Sequence, residues 1–127
     1  MQKTKTSARI VILGFSNNPE RYSFKAGQRL LAAGFSDILG VNPAKPGVAG
    51  IKTVAALADI PVPIDTITVY VGPKIMDGMI DQVLAAKPKR IILNPGAENP
   101  SLAAKAKAAG IQVEEACTLV LLASEQF

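Results

Sequence analysis

The chain has 127 residues and a mass of 13.3 kDa, which is the size of one compact domain. Its formal net charge of +4 is mild and its Lys and Arg residues are scattered, so nucleic-acid binding is not expected. The chain has no histidine and one cysteine, which excludes an internal disulfide, the usual zinc sites and any mechanism that needs a histidine of this chain. We therefore expect no metal site and little catalytic chemistry.

The first residues, Met1 to Ser7, form a polar leader without hydrophobic periodicity, and we expect this leader to be disordered. It lacks the apolar core of a signal peptide, and no run of about 18 uncharged apolar residues occurs in the chain. The sequence therefore predicts a cytoplasmic protein with no membrane segment, in which residues 8–127 form one domain.

Short apolar runs alternate with amphipathic or alanine-rich segments along the whole chain. Continuous apolar runs are typical of strands covered on both faces, whereas a stripe at helical spacing indicates a helix packed on one side. In chain order, the sequence predicts a strand at Ala8–Leu13, a helix at Ser23–Ala33, a strand at Phe35–Val41, a short helix at Val54–Ala58, a strand at Asp65–Val71, a helix at Pro73–Ala86, a strand at Arg90–Leu93, a helix at Ser101–Ala109, a strand at Ile111–Glu114 and a terminal helix at Ala116–Ala123.

Single residues mark several of these boundaries. Gly34 and Gly110 are expected to end helices, and Pro73 suits the first position of one. Thr53 is expected to cap the short helix that follows it. Gly78 is expected to be the weak point of the helix at 73–86, because glycine has a low helix propensity.

Strands that alternate with helices predict a three-layer α/β/α fold with a parallel sheet and right-handed crossovers. For five strands the expected order is 3-2-1-4-5. Ligands bind such folds where the strand order reverses, at the carboxyl ends of the strands. We therefore expect the turns after Leu13 and Leu93 to face each other across a ligand-binding crevice.

The turn at Gly14–Pro19 leads into a helix, whose unpaired backbone N–H groups and dipole can hold an anion. A dinucleotide site normally has three spaced glycines there and an acidic residue at the end of the second strand. This turn has one glycine, the second strand ends at the neutral Asn42, and Lys45 follows. A ligand with an additional phosphate near its ribose is therefore favoured over NAD. The alternatives are an ordinary loop with local Ser and Asn turns, and a solvated lysine.

Four short motifs occur in the order and spacing of a known family. They are Gly14-x-Ser16-x-Asn18-Pro19 after the first strand, Val41-Asn42-Pro43 at the end of the second, Asn94-Pro95-Gly96 after the fourth, and Gly110-Ile111-x-Val113 with Cys117 downstream. The chain thus resembles the stand-alone CoA-binding proteins, which are Rossmann-like domains similar to the nucleotide domain of the succinyl-CoA synthetase alpha subunit. The resemblance implies a Rossmann-like fold and CoA or acyl-CoA as the ligand.

The resemblance also implies which residues would contact that ligand. Gly14, Phe15, Ser16, Asn17 and Asn18 would wrap the pyrophosphate, Asn42 and Lys45 would lie near the ribose phosphate, Val71, Gly72 and Pro73 would border the adenine, and Asn94, Pro95 and Gly96 would line the far wall. Pro43, which belongs to the second motif, is also expected to contact the ligand. Phe15 stands where a small residue is expected, although a backbone N–H contact would survive it. The synthetases phosphorylate a histidine supplied by a further domain, so their ligase chemistry does not carry over.

Cys117 lies just past the fifth predicted strand, at the sheet edge where a thiolate could meet a CoA thioester. No histidine supports it, and a lone cysteine in an apolar run is usually part of the core. We therefore expect a protein that binds CoA or acyl-CoA without catalysis. The alternatives are a module for NAD or another adenine nucleotide, and a CoA-thioester enzyme that uses Cys117. The apolar tail at Leu119–Leu122 could contribute to a homodimer surface.

Overall fold

The structure of the chain, a computed structural model, describes residues 7–127. The expected disorder of the leader at Met1–Ser7 therefore concerns residues that, apart from Ser7, lie outside the described part. Within residues 7–127, no helix is long and apolar enough to cross a bilayer. The same range contains no cluster of acidic or cysteine side chains that could hold a metal ion.

Strands and helices alternate along the described chain. In order they are β1 (Arg9–Leu13), α1 (Tyr22–Ala32), β2 (Asp37–Val41), β3 (Lys52–Val54), a 3-10 turn (Leu57–Asp59), β4 (Thr66–Val69), α2 (Pro73–Asp77), α3 (Ile80–Ala86), β5 (Arg90–Leu93), α4 (Pro100–Ala108), β6 (Gln112–Glu115) and α5 (Thr118–Ala123). All neighbouring strands pair in parallel, in the order β3-β2-β1-β4-β5-β6. The predicted α/β class with a parallel sheet in the order 3-2-1-4-5 is confirmed, with six strands in place of the expected five.

The sheet separates two hydrophobic clusters, one on each face. Val11 and Leu13 of β1 belong to the larger cluster, whereas Ile10 and Ile12 belong to the smaller one. This alternation follows from the pleat, which directs successive side chains to opposite faces. Helices α2, α3 and α4 cover the larger cluster, and α1 covers the smaller one through residues such as Leu30. The core is therefore that of a sheet covered on both faces.

The third strand of the sheet is one that the sequence did not predict. Lys52–Val54 pairs with the end of β2, and the Thr53 hydroxyl donates to the carbonyl of Pro46 at 2.8 Å rather than capping a helix. The predicted helix at Val54–Ala58 is therefore wrong, and the structure has only the 3-10 turn at Leu57–Asp59 in its vicinity. The backbone groups of Lys52–Val54 form hydrogen bonds with β2. Such a long-range pairing cannot be predicted from the propensities of the local sequence.

This additional strand changes which turns meet at the crevice. The segment predicted at Asp65–Val71 is the fourth strand, and its core, Thr66–Val69, pairs with β1. The order therefore reverses between β1 and β4, so the turns after Leu13 and Val69 flank the crevice. The turn after Leu93 is one strand farther away, because β5 pairs with β4. The two turns are thus not on adjacent strands as expected, although Pro95 of the turn after Leu93 lines the same pocket as Gly14 and Ser16.

The helix predicted at 73–86 is two helices. Its hydrogen bonds tighten at the junction, where the N–H groups of Gly78 and Met79 donate to the carbonyls of Ile75 and Met76 at 3.1 and 2.7 Å. Gly78 ends α2 and Met79 precedes α3. The break thus falls at the residue expected to be the weak point of the helix.

Candidate ligand-binding site

The loop after β1 begins with a glycine that no other residue could replace without strain. Gly14 has a φ of +89°, and a Cβ built on it would lie 2.9 Å from Cγ1 of Val71. The N–H groups of Gly14 and Phe15 both donate to the carbonyl of Val41 at 3.1 Å. The loop is therefore tied to the end of β2 and passes close to the turn after β4.

The side chain of Phe15 points into the core, away from the loop surface. It is fully buried and packs in the smaller cluster. Two glycines make room for the ring, since a Cβ on Gly40 would lie 2.5 Å from it and one on Gly27 would lie 3.2 Å from it. The carbonyl of Phe15 accepts a hydrogen bond of 2.7 Å from the Asn42 amide. The bulk of Phe15 is thus placed where it does not obstruct the exposed side of the loop.

The polar side chains of the loop form local turns, as one of the two alternatives anticipated. The Ser16 hydroxyl oxygen accepts from the N–H of Asn18 at 3.0 Å, and the Asn18 side-chain oxygen accepts from the N–H of Glu20 at 3.0 Å. These oxygens shape the loop. The donors that remain for a ligand include backbone N–H groups, the hydroxyl hydrogen of Ser16 and the side-chain amide nitrogen of Asn18.

The start of α1 supplies further donors. Its first helical hydrogen bond runs from the N–H of Lys25 to the carbonyl of Arg21 at 3.2 Å. The N–H groups of Tyr22, Ser23 and Phe24 therefore have no partner among residues 7–127. The positive end of the helix dipole lies at the same place, and the Arg21 side chain adds a full positive charge beside it.

Three pockets lie side by side along the carboxyl ends of the strands. The loop pocket, of about 520 Å³, is lined by Gly14, Ser16, Glu20, Arg21, Tyr22, Ser23, Asn42, Tyr70 and Pro95. The Val71 pocket, of about 420 Å³, is lined by Leu13, Gly14, Val41, Asn42, Pro43, Ala55, Ala56, Val71, Ile75, Met79 and Gln82. The Cys117 pocket, of about 230 Å³, is lined by Tyr22, Tyr70, Asn94, Pro95, Cys117 and Leu119.

The three pockets form one row because neighbouring pockets share residues. Gly14 and Asn42 belong to both the Val71 pocket and the loop pocket. Tyr22, Tyr70 and Pro95 belong to both the loop pocket and the Cys117 pocket. The loop pocket is polar, whereas the walls of the two outer pockets are largely apolar. The row therefore suits an elongated ligand with an anionic middle and less polar ends.

The predicted site residues do not all lie in this row. Those that line a pocket are Gly14, Ser16, Asn42, Pro43, Val71, Asn94 and Pro95. Those that line none of the three pockets are Phe15, Asn17, Asn18, Lys45, Gly72, Pro73 and Gly96. Phe15 is in the core, while Asn17, Asn18, Lys45 and Gly96 are exposed on the flanking loops.

The sequence interpretation missed several lining residues, of which Arg21, Tyr22 and Tyr70 are the most informative. Arg21 and Tyr22 precede the predicted start of the helix at Ser23, but the helix begins at Tyr22. Tyr70 was assigned to a strand that ends at Val69. The position of Arg21 just before a helix that follows the β1 turn is the signal that could have identified it.

Asn94 holds the inner wall of the Cys117 pocket through a buried network. Its side-chain nitrogen donates to the Thr68 hydroxyl at 2.7 Å and to the carbonyl of Val69 at 2.9 Å. Its side-chain oxygen accepts from the N–H of Thr118 at 2.8 Å, and the Thr68 and Thr118 hydroxyls lie 2.7 Å apart. With 2% exposure, Asn94 joins β4, β5 and α5 rather than presenting a free donor.

Tyr70 packs beside this network. Its hydroxyl oxygen is buried and makes no hydrogen bond of good geometry with any residue from 7 to 127, although Thr118 and Thr68 lie close to it. Burial raises the pKa of Tyr70 above its ordinary value of 10.0. The phenol is therefore neutral at physiological pH.

Cys117 lies two residues past the end of β6, close to where it was predicted, and lines the apolar pocket while remaining partly exposed. The apolar tail after it faces in several directions. Leu121 is buried, Leu119 lines the Cys117 pocket and Val120 is 61% exposed. Most side chains of this tail are therefore packed against the rest of the protein or line the pocket, and they do not form a free apolar surface.

Comparisons with known proteins agree with this architecture. The chain matches the family described as CoA binding domain over residues 8–123. The uncharacterized protein YneT of Bacillus subtilis (strain 168) is 32% identical over 78 residues, or 61% of this chain, which therefore spans just over half (57%) of that relative. The crystal structure of an uncharacterized protein, 33% identical, has a TM-score of 0.86 and covers 94% of this chain and 98% of that one.

The structure of cell-free ID.343 from Thermus thermophilus is also similar. It is 28% identical, with a TM-score of 0.84, and covers 94% of this chain and 90% of that one. The similarity to these solved structures extends over nearly the whole length of each protein. This similarity and the family match over residues 8–123 have the same implication. The chain belongs to the CoA-binding domain family.

Proposed function

We propose that the protein binds CoA or acyl-CoA, with the diphosphate in the loop pocket. One observation carries the proposal: the loop pocket opens on the N-terminus of α1, where backbone N–H groups have no partner within residues 7–127 and Arg21 adds a cation. A helix N-terminus of this kind binds phosphate groups through its donors and dipole. Glu20 also lines the pocket, so the attraction depends on the backbone and Arg21 together rather than on a cluster of cations.

The Val71 pocket suits the adenine ring. It lies at the ends of β1 and β2, and its walls are mainly apolar, with Val71, Ile75 and Met79 among them. In open α/β sheets the base of a nucleotide binds on this side of the phosphate loop. The predicted residues Gly72 and Pro73 would contribute by starting α2 next to Val71 rather than by lining the pocket.

Lys45 is the residue that would contact the additional phosphate of CoA. The N–H of Lys45 donates to the carbonyl of Asn42 at 2.9 Å, so the lysine lies one tight turn beyond the edge of the Val71 pocket. Its backbone is left-handed, with a φ of +48°, and its side chain is exposed. A flexible ammonium group at this position can reach a phosphate on the ribose.

Asn42 disfavours NAD as the ligand. A carboxylate at the end of β2 normally accepts hydrogen bonds from the ribose hydroxyls. The side-chain nitrogen of Asn42 instead donates to Phe15, and its oxygen accepts from the N–H of Ala44 at 2.8 Å. The residue therefore shapes the loop and offers no negative charge to a ribose.

Thermal-shift measurements with CoA, dephospho-CoA, NAD and ATP test the proposal. A ligand that binds only the folded state raises the melting temperature, and at a given concentration the increase is larger for a ligand with a lower Kd. We expect the largest increase with CoA and a smaller one with dephospho-CoA. If CoA raises the melting temperature no more than NAD does, the proposed function is wrong.

The proposal describes binding without catalysis, and Cys117 provides the test of that part. Acetyl-CoA is incubated with the protein, and the release of free CoA thiol is followed. We expect no turnover above the uncatalysed rate. Turnover that disappears in a Cys117→Ala variant would show instead that the protein is a thioester enzyme.

A further inference from the structure

The Cys117 pocket adjoins the loop pocket on the side opposite the Val71 pocket. It shares Tyr22, Tyr70 and Pro95 with the loop pocket, so a group bonded directly to the bound diphosphate can enter it. Its volume of about 230 Å³ exceeds the roughly 150 Å³ of an engineered apolar cavity that binds benzene. The pocket is therefore large enough for a branched aliphatic group.

Most polar side-chain atoms of the pocket wall are engaged or buried, apart from the hydroxyl of the exposed Tyr22 and the thiol of Cys117. The Asn94 side chain donates twice and accepts once within its own network, as described above. The Tyr70 hydroxyl oxygen is buried behind the wall. What the pocket offers to a ligand is largely the aromatic rings, Pro95, Leu119 and the weakly polar thiol of Cys117. A ribose placed there would exchange most of its hydrogen bonds to water for contact with a largely apolar wall.

The two classes of candidate ligand differ at this point in their structure. In both ligands the second phosphate is bonded to a methylene group through oxygen. In CoA the next carbon bears two methyl groups, whereas in NAD the methylene group leads into a second ribose with two hydroxyls. We propose that the Cys117 pocket binds the dimethyl-bearing carbon of CoA and thereby selects CoA over nicotinamide dinucleotides. This inference rests on the proposed function, because it assumes that the loop pocket holds the diphosphate.

Leu119 and Val120 provide a matched pair of variants for the test. Both are apolar residues of α5, but Leu119 lines the pocket and Val120 is exposed to solvent. Isothermal titration with CoA and with ADP, which ends at the diphosphate, is performed on wild type, Leu119→Ser and Val120→Ser. We expect Leu119→Ser to weaken CoA binding about three- to tenfold and to leave ADP binding unchanged. Val120→Ser should change neither affinity.

Several results would overturn the pocket assignment while leaving the proposed function intact. These are an unchanged CoA affinity in Leu119→Ser, an equal loss for ADP and CoA, or an equal loss of CoA binding in Val120→Ser. Absence of CoA binding to the wild-type protein would overturn the proposed function and the pocket assignment together.

Alkylation of Cys117 gives a second measurement that needs no variant. Cys117 is the single cysteine of the sequence, so incorporation of iodoacetamide reports on this pocket alone. Acetyl-CoA, which has no free thiol to consume the reagent, is compared with ADP at saturating concentrations. We expect acetyl-CoA to slow alkylation at least about fivefold, in line with occupancy of the pocket, and ADP to leave the rate unchanged. Equal protection by both ligands, or none by acetyl-CoA, would overturn the proposal.

Discussion

Replacing Gly40 with alanine should disturb the loop after β1 through the buried ring of Phe15. A Cβ at this position would lie 2.5, 2.6 and 2.8 Å from Cδ2, Cγ and Cβ of Phe15. Phe15 cannot move freely, because its N–H is bonded to Val41 and its carbonyl to Asn42. We expect Gly40→Ala to lower the free energy of unfolding by about 1–3 kcal/mol, which is typical of overpacking in a core.

A double-mutant cycle with Phe15→Ala identifies the cause of this loss. Phe15→Ala alone should cost about 3–5 kcal/mol, as is usual for removal of a buried phenylalanine. In that background the added methyl group of Gly40→Ala enters empty space, so its cost should fall to nearly zero. Urea denaturation followed by circular dichroism is the suitable assay, because the chain has no tryptophan.

Gly47→Ala is the control for the cycle, since a Cβ at Gly47 meets nothing within 4 Å. We expect it to change the free energy of unfolding by less than about 1 kcal/mol. If Gly40→Ala costs the same with and without the Phe15 ring, the contact between them is not the cause and the reasoning is refuted.

The remaining predictions concern the charges of the site and the buried polar groups. Lys45→Ala should weaken CoA binding by about 1–2 kcal/mol and leave dephospho-CoA unaffected, as measured by titration calorimetry; equal losses would show that Lys45 does not contact the additional phosphate. Arg21→Ala should weaken CoA and ADP alike by about 1 kcal/mol, whereas Arg29→Ala on the same helix should change neither; an effect of Arg29→Ala of similar size would indicate general electrostatics rather than contact. Asn94→Ala should lower the free energy of unfolding by about 3 kcal/mol, because it leaves buried groups of β4 and α5 unpaired; a loss below about 1 kcal/mol would contradict the assigned network. Because the pKa of Tyr70 is raised by burial, the unfolded chain ionises first as pH rises above about 10 and stability falls there. Tyr70→Phe should reduce that alkaline loss in denaturation experiments at pH 8 and 10.5, and an unchanged loss would mean that other groups cause it.

Burial on both faces explains why most strands could be predicted from the sequence. The predicted bounds of β1, β2 and β5 differ from the observed ones by two residues at most. β3 escaped prediction because it has only three residues, none of them fully buried, and carries no apolar pattern. Its existence depends on hydrogen bonds to β2, a long-range contact that local sequence does not report. Because β3 was not predicted, the turn after Leu93 was expected one strand too close to the turn after Leu13.

Site residues could be predicted where the strand order determines their position. They could not be predicted where their position depends on the exact end of a helix or strand. The turn at Gly14 and the end of β2 at Asn42 lie at the carboxyl edge in any sheet of this order, so both were expected to line the crevice. Tyr70 lies in the crevice because β4 ends one residue before it. The burial of Phe15 depends on glycines at 27 and 40, which no local pattern connects to the loop.

The two outer strands of the sheet restrict how copies of this chain can associate. β6 ends in Glu114 and Glu115, and β3 is three residues long and begins with the exposed Lys52. Short or charged edge strands oppose pairing with another sheet. A second copy paired along β6 would bring its own Glu114 and Glu115 to the same short contact. We therefore expect the homodimer that the sequence suggested to form through helices, with the two sheets remaining separate.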